Sequence, residues 1–234
     1  MKKVLIIGAS SGIGKELAIQ YSRLGFEVIA TARSVEKLKE LESKSKYISC
    51  EYLDVNNLEM AVSTIKKLVV NTDISIICAG VGEINQSLDF EIEYNTIKTN
   101  VLGFTAIVDK IFNYYKTIKS GHIVALSSVA SLRGSDVAPA YNASKAYISN
   151  YMEGLRKKSV KENLNINITT ILPGLVDTKM AKGEGLFWVE PVDLVAREII
   201  AGINKNKTSF VVSKRWNLIA FLLTLLPNKI YYKL

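Results

Sequence analysis

Short apolar runs alternate along the chain with segments whose apolar residues recur every three or four positions. Residues 4–7 form a continuous apolar run that stops at Gly8. Such a run fits a strand buried on both faces of a parallel sheet. Lys2 and Lys3 precede it as in a secretory leader, but the run is too short for a leader core and reads as a first strand. Ile13, Leu17, Ala18, Tyr21 and Leu24 then keep helical spacing, and Gly25 follows as a C-terminal cap. Further strands are expected at residues 28–31, 47–53, 74–78, 122–126, 166–172 and 209–212. Helices are expected at 35–41, 58–69, 95–115, from Tyr141 to about 161, and 192–203. The 95–115 helix is apolar over more than a narrow stripe, so one face is expected to meet the sheet and another a second subunit. Residues 176–190 are polar and glycine-bearing and read as a mobile loop over the site, with Met180, Leu186, Phe187 and Trp188 lining an apolar pocket.

Strands alternating with helices predict an α/β fold: a doubly wound parallel sheet of Rossmann type, about seven strands with helices on both faces. The 234 residues suffice for one domain, assigned to 1–213, followed by an apolar and basic helical tail at 214–234. A hydrophobic share of 48% excludes a disordered chain. Cys50 and Cys78 lack metal-ligand spacing and read as buried free thiols of a reducing compartment. The single histidine, His122, excludes a His-rich metal site and most His-based triads, and its place at a strand start reads as structural. The net charge of +8 favours an anionic ligand or surface. Its spread along the chain, without a dense basic run before the tail, argues against nucleic acid.

Two features change this picture from fold to chemistry. Gly8-Ala9-Ser10-Ser11-Gly12-Ile13-Gly14 joins the first strand to the first helix. Glycines let the backbone approach a pyrophosphate, and the helix start offers it free N–H groups and partial positive charge. Arg33 ends the second strand with no acidic residue between 30 and 35. An arginine there accommodates a 2′-phosphate, whereas a carboxylate would hold a ribose diol, so NADP(H) is expected over NAD(H). The second feature is Tyr141-x-x-x-Lys145. On a helix the i and i+4 residues share a face, which sets an ammonium beside a phenol that can then act as acid or base.

Together these motifs resemble the short-chain dehydrogenase/reductase family, over roughly residues 3–212. The resemblance rests on Gly8-x-x-x-Gly12-x-Gly14, Asp54-Val55, Ala79-Gly80, Asn100, Ser128, Tyr141-x-x-x-Lys145 and Pro173-Gly174, in family order at strand ends or on helices. The family's usual interval of 13 residues before the tyrosine selects Ser128 over Ser127. The resemblance implies that Tyr141 exchanges a proton with the substrate oxygen and that Ser128 holds that oxygen. It implies that Lys145 lowers the tyrosine pKa and binds the nicotinamide ribose, and that Asn100 positions a relay water. Ser10, Ser11, Gly12, Ile13 and Gly14 would cradle the pyrophosphate, Asp54 and Val55 the adenine, and Ala79-Gly80 the adenosine ribose. Val176 and Thr178, just after Pro173-Gly174, would lie by the carboxamide. The chain departs from the family at Ile77-Cys78-Ala79-Gly80, where Asn-Asn-Ala-Gly is usual.

The expected function is therefore NADP(H)-dependent interconversion of a carbonyl and a secondary alcohol, reductive and on a lipophilic substrate, without a metal. A non-catalytic cofactor-binding sensor or scaffold is the alternative. A nucleotide-sugar epimerase or dehydratase is disfavoured by the short chain. The expected assembly is a homodimer or homotetramer. In the tail, Leu218 to Leu226 is apolar, with Lys214, Arg215, Lys229 and Lys233 at its margins beside Trp216, Tyr231 and Tyr232. That run falls short of the ~20 residues a spanning helix needs. A helix lying in a membrane surface is favoured over one packed on the domain. The expected location is the cytoplasm, with a peripheral contact at the inner face of a membrane.

Overall fold

The computed structural model describes residues 1–181 and 187–233. In chain order the elements are β1 (Lys3–Ile7), α1 (Gly12–Arg23), β2 (Glu27–Ala32), α2 (Val35–Glu42), β3 (Ile48–Tyr52), α3 (Leu58–Leu68), β4 (Ile74–Ile77), α4 (Phe90–Ile97), a π-helical turn (Lys98–Gly103), α5 (Phe104–Ile118), β5 (Ser120–Leu126), a 3-10 turn (Val129–Leu132), α6 (Pro139–Lys161), β6 (Asn165–Leu172), α7 (Val192–Asn204), β7 (Ser209–Val211), α8 (Lys214–Leu225) and α9 (Asn228–Tyr231). The strands form one seven-stranded sheet in the order β3-β2-β1-β4-β5-β6-β7. Every neighbouring pair is parallel. This is the doubly wound α/β fold expected from the alternation. From β1 the chain builds outward to β3, then returns to the other side of β1 to lay down β4. At such a reversal the carboxyl ends of the two central strands open a crevice.

Side chains of β1 alternate between the two cores, as strand geometry requires. Val4 and Ile6 pack with Leu17, Ala18 and Tyr21 of α1 and Val195 and Ile199 of α7. Leu5 and Ile7 pack with Ile65 of α3, Ile107 and Ile111 of α5 and Ile148 of α6. The helices therefore cover both faces and leave the strand ends free for a site.

α1 and α6 lack the side-chain caps that start α2, α3, α4 and α8. α2, α3 and α4 begin at Ser34, Asn57 and Asp89, whose side chains accept from backbone N–H groups of the first turn. Ser11 makes no such bond at the start of α1. At α6, Pro139 opens the helix and no local side chain caps it. Glu93 of α4 does so from a distance, its Oε2 accepting from Ala140 N at 3.0 Å. The other carboxylate oxygen accepts from Asn85 Nδ2 at 2.7 Å. A carboxylate at a helix N-terminus also meets the positive end of the macrodipole.

The long helix expected at 95–115 differs from the observed one. It begins at Phe90, continues to Ile118, and is broken in register by the π turn at Lys98–Gly103. A π turn inserts one extra residue, which a 3.6-residue period does not register. Here the insertion turns Asn100 inward and lets Gly103 press on the next layer. A Cβ on Gly103 would stand 2.7 Å from Val55 O.

The tail expected at 214–234 forms α8 and α9. α8 packs on the domain through one face, burying Trp216 and Ala220 against Val129 with Leu132, Leu175 and Val211 around them. Arg133 closes its far end, donating to Leu223 O at 3.3 Å, Leu226 O at 2.9 Å and Asn228 Oδ1 at 2.9 Å, with its guanidinium over the Tyr231 ring. A guanidinium satisfies the orphan carbonyls of a helix C-terminus. The opposite face of α8 stays exposed. Among the described residues no helix is long and apolar enough to cross a membrane.

His122 sits near the amino end of β5, buried, with Nε2 at 2.8 Å from Thr169 Oγ1 of β6. Burial pushes its pKa down to about 4. The folded chain therefore keeps the ring neutral where the unfolded chain, titrating near pH 6.5, takes a proton. Its contribution is full above that value and is lost as pH falls towards 4, up to about 3 kcal/mol. Denaturant titrations from pH 7 to 4 should show wild type losing about that much more stability than His122→Gln. Parallel acid limbs for the two proteins would contradict the assignment.

Candidate active site

The crevice at the β1–β4 reversal is a cleft of about 750 Å³. Its floor is the turn from β1 to α1. Gly8 has φ +90° and its backbone touches the β4 end so closely that a Cβ would lie 2.5 Å from Ala79 N. A Cβ on Gly14 would stand 2.2 Å from Gly8 O, so only glycine lets α1 start this close to the strand. Gly8, Ser10, Ser11, Gly12, Ile13 and Gly14 all line the cleft. The uncapped start of α1, with no acidic residue in its first turn, leaves N–H groups directed at whatever occupies this floor.

Arg33, at the end of β2, lines the same cleft, as do Val55, Ala79 and Gly80. Pro173, Gly174, Val176 and Thr178 line it from the β6 side. Asp54, expected by the adenine, lies between two lining residues. It is absent from the cleft wall, and its Oδ1 accepts from Asn56 N at 3.0 Å in a tight turn. Leu53, on the other side of it, lines the cleft instead.

At the far end, Ser128, Tyr141 and Lys145 share one wall. Lys145 is buried and its Nζ donates to Leu126 O at 3.1 Å. Burial lowers its pKa to about 8. Its Nζ lies 5.7 Å from the centre of the Tyr141 ring. Burial also raises the phenol pKa of Tyr141, while the Ser128 hydroxyl beside it pulls the other way. The loop after β4 closes on the ring and desolvates it. A Cβ on Gly82 would stand 2.5 Å from Tyr141 Cδ2. Ser127 is held apart from this group, donating to Lys145 O and sharing a hydrogen bond with Ser149, both at 2.8 Å.

Asn100 stands behind the wall rather than on it. Fully buried, it accepts from Val81 N at 2.9 Å and donates to Val81 O at 2.7 Å and Ser144 Oγ at 2.9 Å. It clamps the loop that covers Tyr141. Gly80 passes between it and Lys145, since a Cβ there would lie 3.3 Å from Asn100 Oδ1 and 3.4 Å from Lys145 Nζ.

Several lining residues were not expected in the cleft from the sequence: Cys78 under the glycine turn, Gly82, Arg133, and Trp216, Leu223 and Tyr231 from the tail. The Cys78 thiol is held protonated by burial. The tail residues had a signal, an apolar helix with a tryptophan on one face, but its docking partner lies far away in sequence. Gly174 takes the ring of Trp216, as a Cβ there would fall 2.0 Å from it. Trp216 also donates from Nε1 to Trp188 O at 3.1 Å and stacks on Phe187 at 5.7 Å. Of the loop expected at 176–190, both ends are pinned, by Asp177 N to Glu190 O at 3.0 Å and Glu190 N to Leu175 O at 2.9 Å. Met180 lines the cleft, and Leu186 lies outside the described residues.

A glycine-floored crevice at the reversal of a parallel sheet, with a serine, a tyrosine and a lysine on one wall, defines a Rossmann-type α/β protein built for dinucleotide chemistry. The short chain dehydrogenase model matches residues 2–186. The chain belongs to the short-chain dehydrogenase family, a family of oxidoreductases. An uncharacterized oxidoreductase of Myxococcus xanthus is 31% identical over 216 residues, 86% of this chain and 85% of that protein. A hydroxysteroid 11-beta-dehydrogenase 1-like protein B of Xenopus laevis is 27% identical, over 77% of this chain and 65% of its own length. Among solved structures, a short chain dehydrogenase of Burkholderia cenocepacia in complex with NADP superposes at a TM-score of 0.87 and 19% identity, covering 100% of this chain and 98% of its own. One from Sphingobium yanoikuyae in complex with NADPH gives 0.81 and 21%, covering 94% and 92%. At that identity the two structures speak to the fold.

The buried ammonium of Lys145 opposes folding. Its depressed pKa means the folded chain binds the proton less tightly than the unfolded one, which costs up to about 3 kcal/mol below pH 8 and fades as pH rises towards 10.5. Lys145→Met keeps the apolar stem and removes the charge, though Leu126 O then loses its donor. The variant should melt about 3–6 °C above wild type at pH 7 without cofactor. A lower melting temperature would refute this reading.

Proposed function

We propose that the chain is an NADP(H)-dependent oxidoreductase interconverting a carbonyl and a secondary alcohol, working reductively on a lipophilic substrate. The observation that carries this is the sharing of one cleft wall by Ser128, Tyr141 and Lys145, between a glycine-floored phosphate site and an apolar end. When bound, the nicotinamide supplies the hydride. The chain's own residues handle the oxygen and the proton. Tyr141, its phenol pKa raised by burial, holds the proton at Oη until negative charge develops on the substrate oxygen, and then donates it. Ser128 Oγ gives a second hydrogen bond to that oxygen, which is worth more in a water-poor site than in solution. Lys145, charged at neutral pH, stabilises the phenolate left behind. Asn100 keeps the covering loop closed through Val81 and so excludes water from the proton's path.

Arg33 supports the phosphate-bearing cofactor, since its guanidinium at the β2 end offers a charged fork with no acidic neighbour between 30 and 35. The structures in complex with NADP and NADPH, similar in fold, accord with it. Val129, Ala130, Leu175, Met180, Trp216 and Leu223 support a lipophilic substrate. Exposed Phe90, Tyr94, Ile97 and Leu102 support pairing of two copies across α4 and the π turn.

The test is NADPH oxidation against a panel of lipophilic ketones and aldehydes, with NADH in parallel. Turnover with NADPH in preference to NADH is expected. Arg33→Asp should then shift the preference towards NADH by about 10–100-fold, the worth of one charge-assisted contact. Tight NADPH binding without turnover on any carbonyl would replace this reading with a cofactor sensor, and an unchanged preference would remove Arg33 from the phosphate site.

A further inference from the structure

α8 has two apolar faces, and only one is explained by packing. Trp216, Ala220 and Leu223 turn inward onto the 3-10 turn and the cleft. Leu218, Phe221, Leu222 and Leu225 fall at the i, i+3, i+4, i+7 positions of the opposite face, each half exposed or more. Beyond them Ile230 and Tyr232 of the last segment are exposed too. The four α8 residues make an apolar strip along the outer side of the helix, of the kind that marks an interaction surface.

The charge around the strip identifies what covers it. Lys214, Arg215, Lys229 and Lys233 flank it along the tail, and the Glu198 carboxylate meets its start, accepting from Ser213 N at 2.9 Å. Lys214 and Arg215 occupy the first turn of α8, where the helix macrodipole disfavours cations. Helix stability therefore does not account for them. Arg215 also rests over the Trp188 ring at 5.9 Å, whereas Lys214 is exposed at the strip's edge. Two copies meeting strip to strip would face like charge with like charge. An anionic bilayer complements both features, taking the apolar side chains below its headgroups and the cations among its phosphates. α8 is too short to span and sits flat on the domain, so it would lie in the plane of the surface.

We infer that α8 docks the protein, outer face first, on an anionic lipid bilayer. The docking stands apart from the redox reading, because none of the outer-face residues touches the cleft. It adds one consequence to that reading: a single helix, about 10 Å across, separates lipid from the apolar end of the cleft.

Sedimentation of the full-length protein with vesicles tests this. Wild type should pellet with phosphatidylcholine vesicles containing phosphatidylglycerol, come off partly in added salt, and stay in solution with phosphatidylcholine alone. Phe221→Glu with Leu225→Glu should lower binding at least tenfold or so, with unchanged melting temperature and NADPH binding. Lys214→Glu with Lys229→Glu should weaken it through charge alone and serves if the first pair fails to fold. Wild type that ignores phosphatidylglycerol vesicles overturns the inference, as does a Phe221/Leu225 variant that binds them like wild type. So does a change from dimer to monomer in that variant on size-exclusion chromatography without loss of vesicle binding, which would give the face to a second copy.

Discussion

The contact between the Gly8 backbone and the backbone at Ala79 sets the geometry of the rest. It is where the two halves of the sheet meet, and it is tight enough that a single Cβ at Gly8 would fall 2.5 Å from Ala79 N. Because β1 and β4 end there side by side, the chain leaves β1 on one face of the sheet and β4 on the other, and a crevice opens between. α1 starts against that floor with its N–H groups free. The β4 loop runs over the opposite side. Everything the cleft does is arranged around this one close approach.

Chemistry at the far end depends on keeping polar groups in a dry place without letting them relax. Lys145 and Tyr141 are both desolvated, and each is displaced from its ordinary pKa by burial. For the ammonium of Lys145 this carries a desolvation cost. The surroundings hold it: Leu126 O receives the ammonium, Asn100 pins Val81, and Glu93 anchors the first turn of the helix that carries both residues. The buried ammonium of Lys145 opposes folding, as polar groups buried for function commonly do.

Much of this was legible from the residues themselves. Period and punctuation placed every strand, and the glycine turn, Arg33 and the Tyr141–Lys145 pair pointed to one end of the sheet. The parts that were not legible share a physical cause, namely that they depend on contacts between distant segments. The π turn at Asn100 adds one residue that periodicity averages away. Capping of α6 by Glu93 spans 47 residues. Asp54 looks like a cleft residue beside Val55, but alternate residues of an extended segment face opposite ways, and its carboxylate turns to Asn56. The tail is apolar all round in sequence, and only its docking on Val129 and Gly174 divides it into a buried face and an exposed one. The burial of the Tyr141 ring also depends on a loop, Gly80–Gly82, that the pair's spacing does not reveal.

The central claim is that Tyr141 moves the proton. The most direct measurement is steady-state turnover and NADPH affinity of Tyr141→Phe, on a carbonyl that wild type reduces. Loss of the hydroxyl alone should lower kcat by at least about 10²-fold and leave NADPH affinity within a few-fold of wild type, since the ring still packs on Gly82. A Tyr141→Phe enzyme that turns over near the wild-type rate would contradict the account.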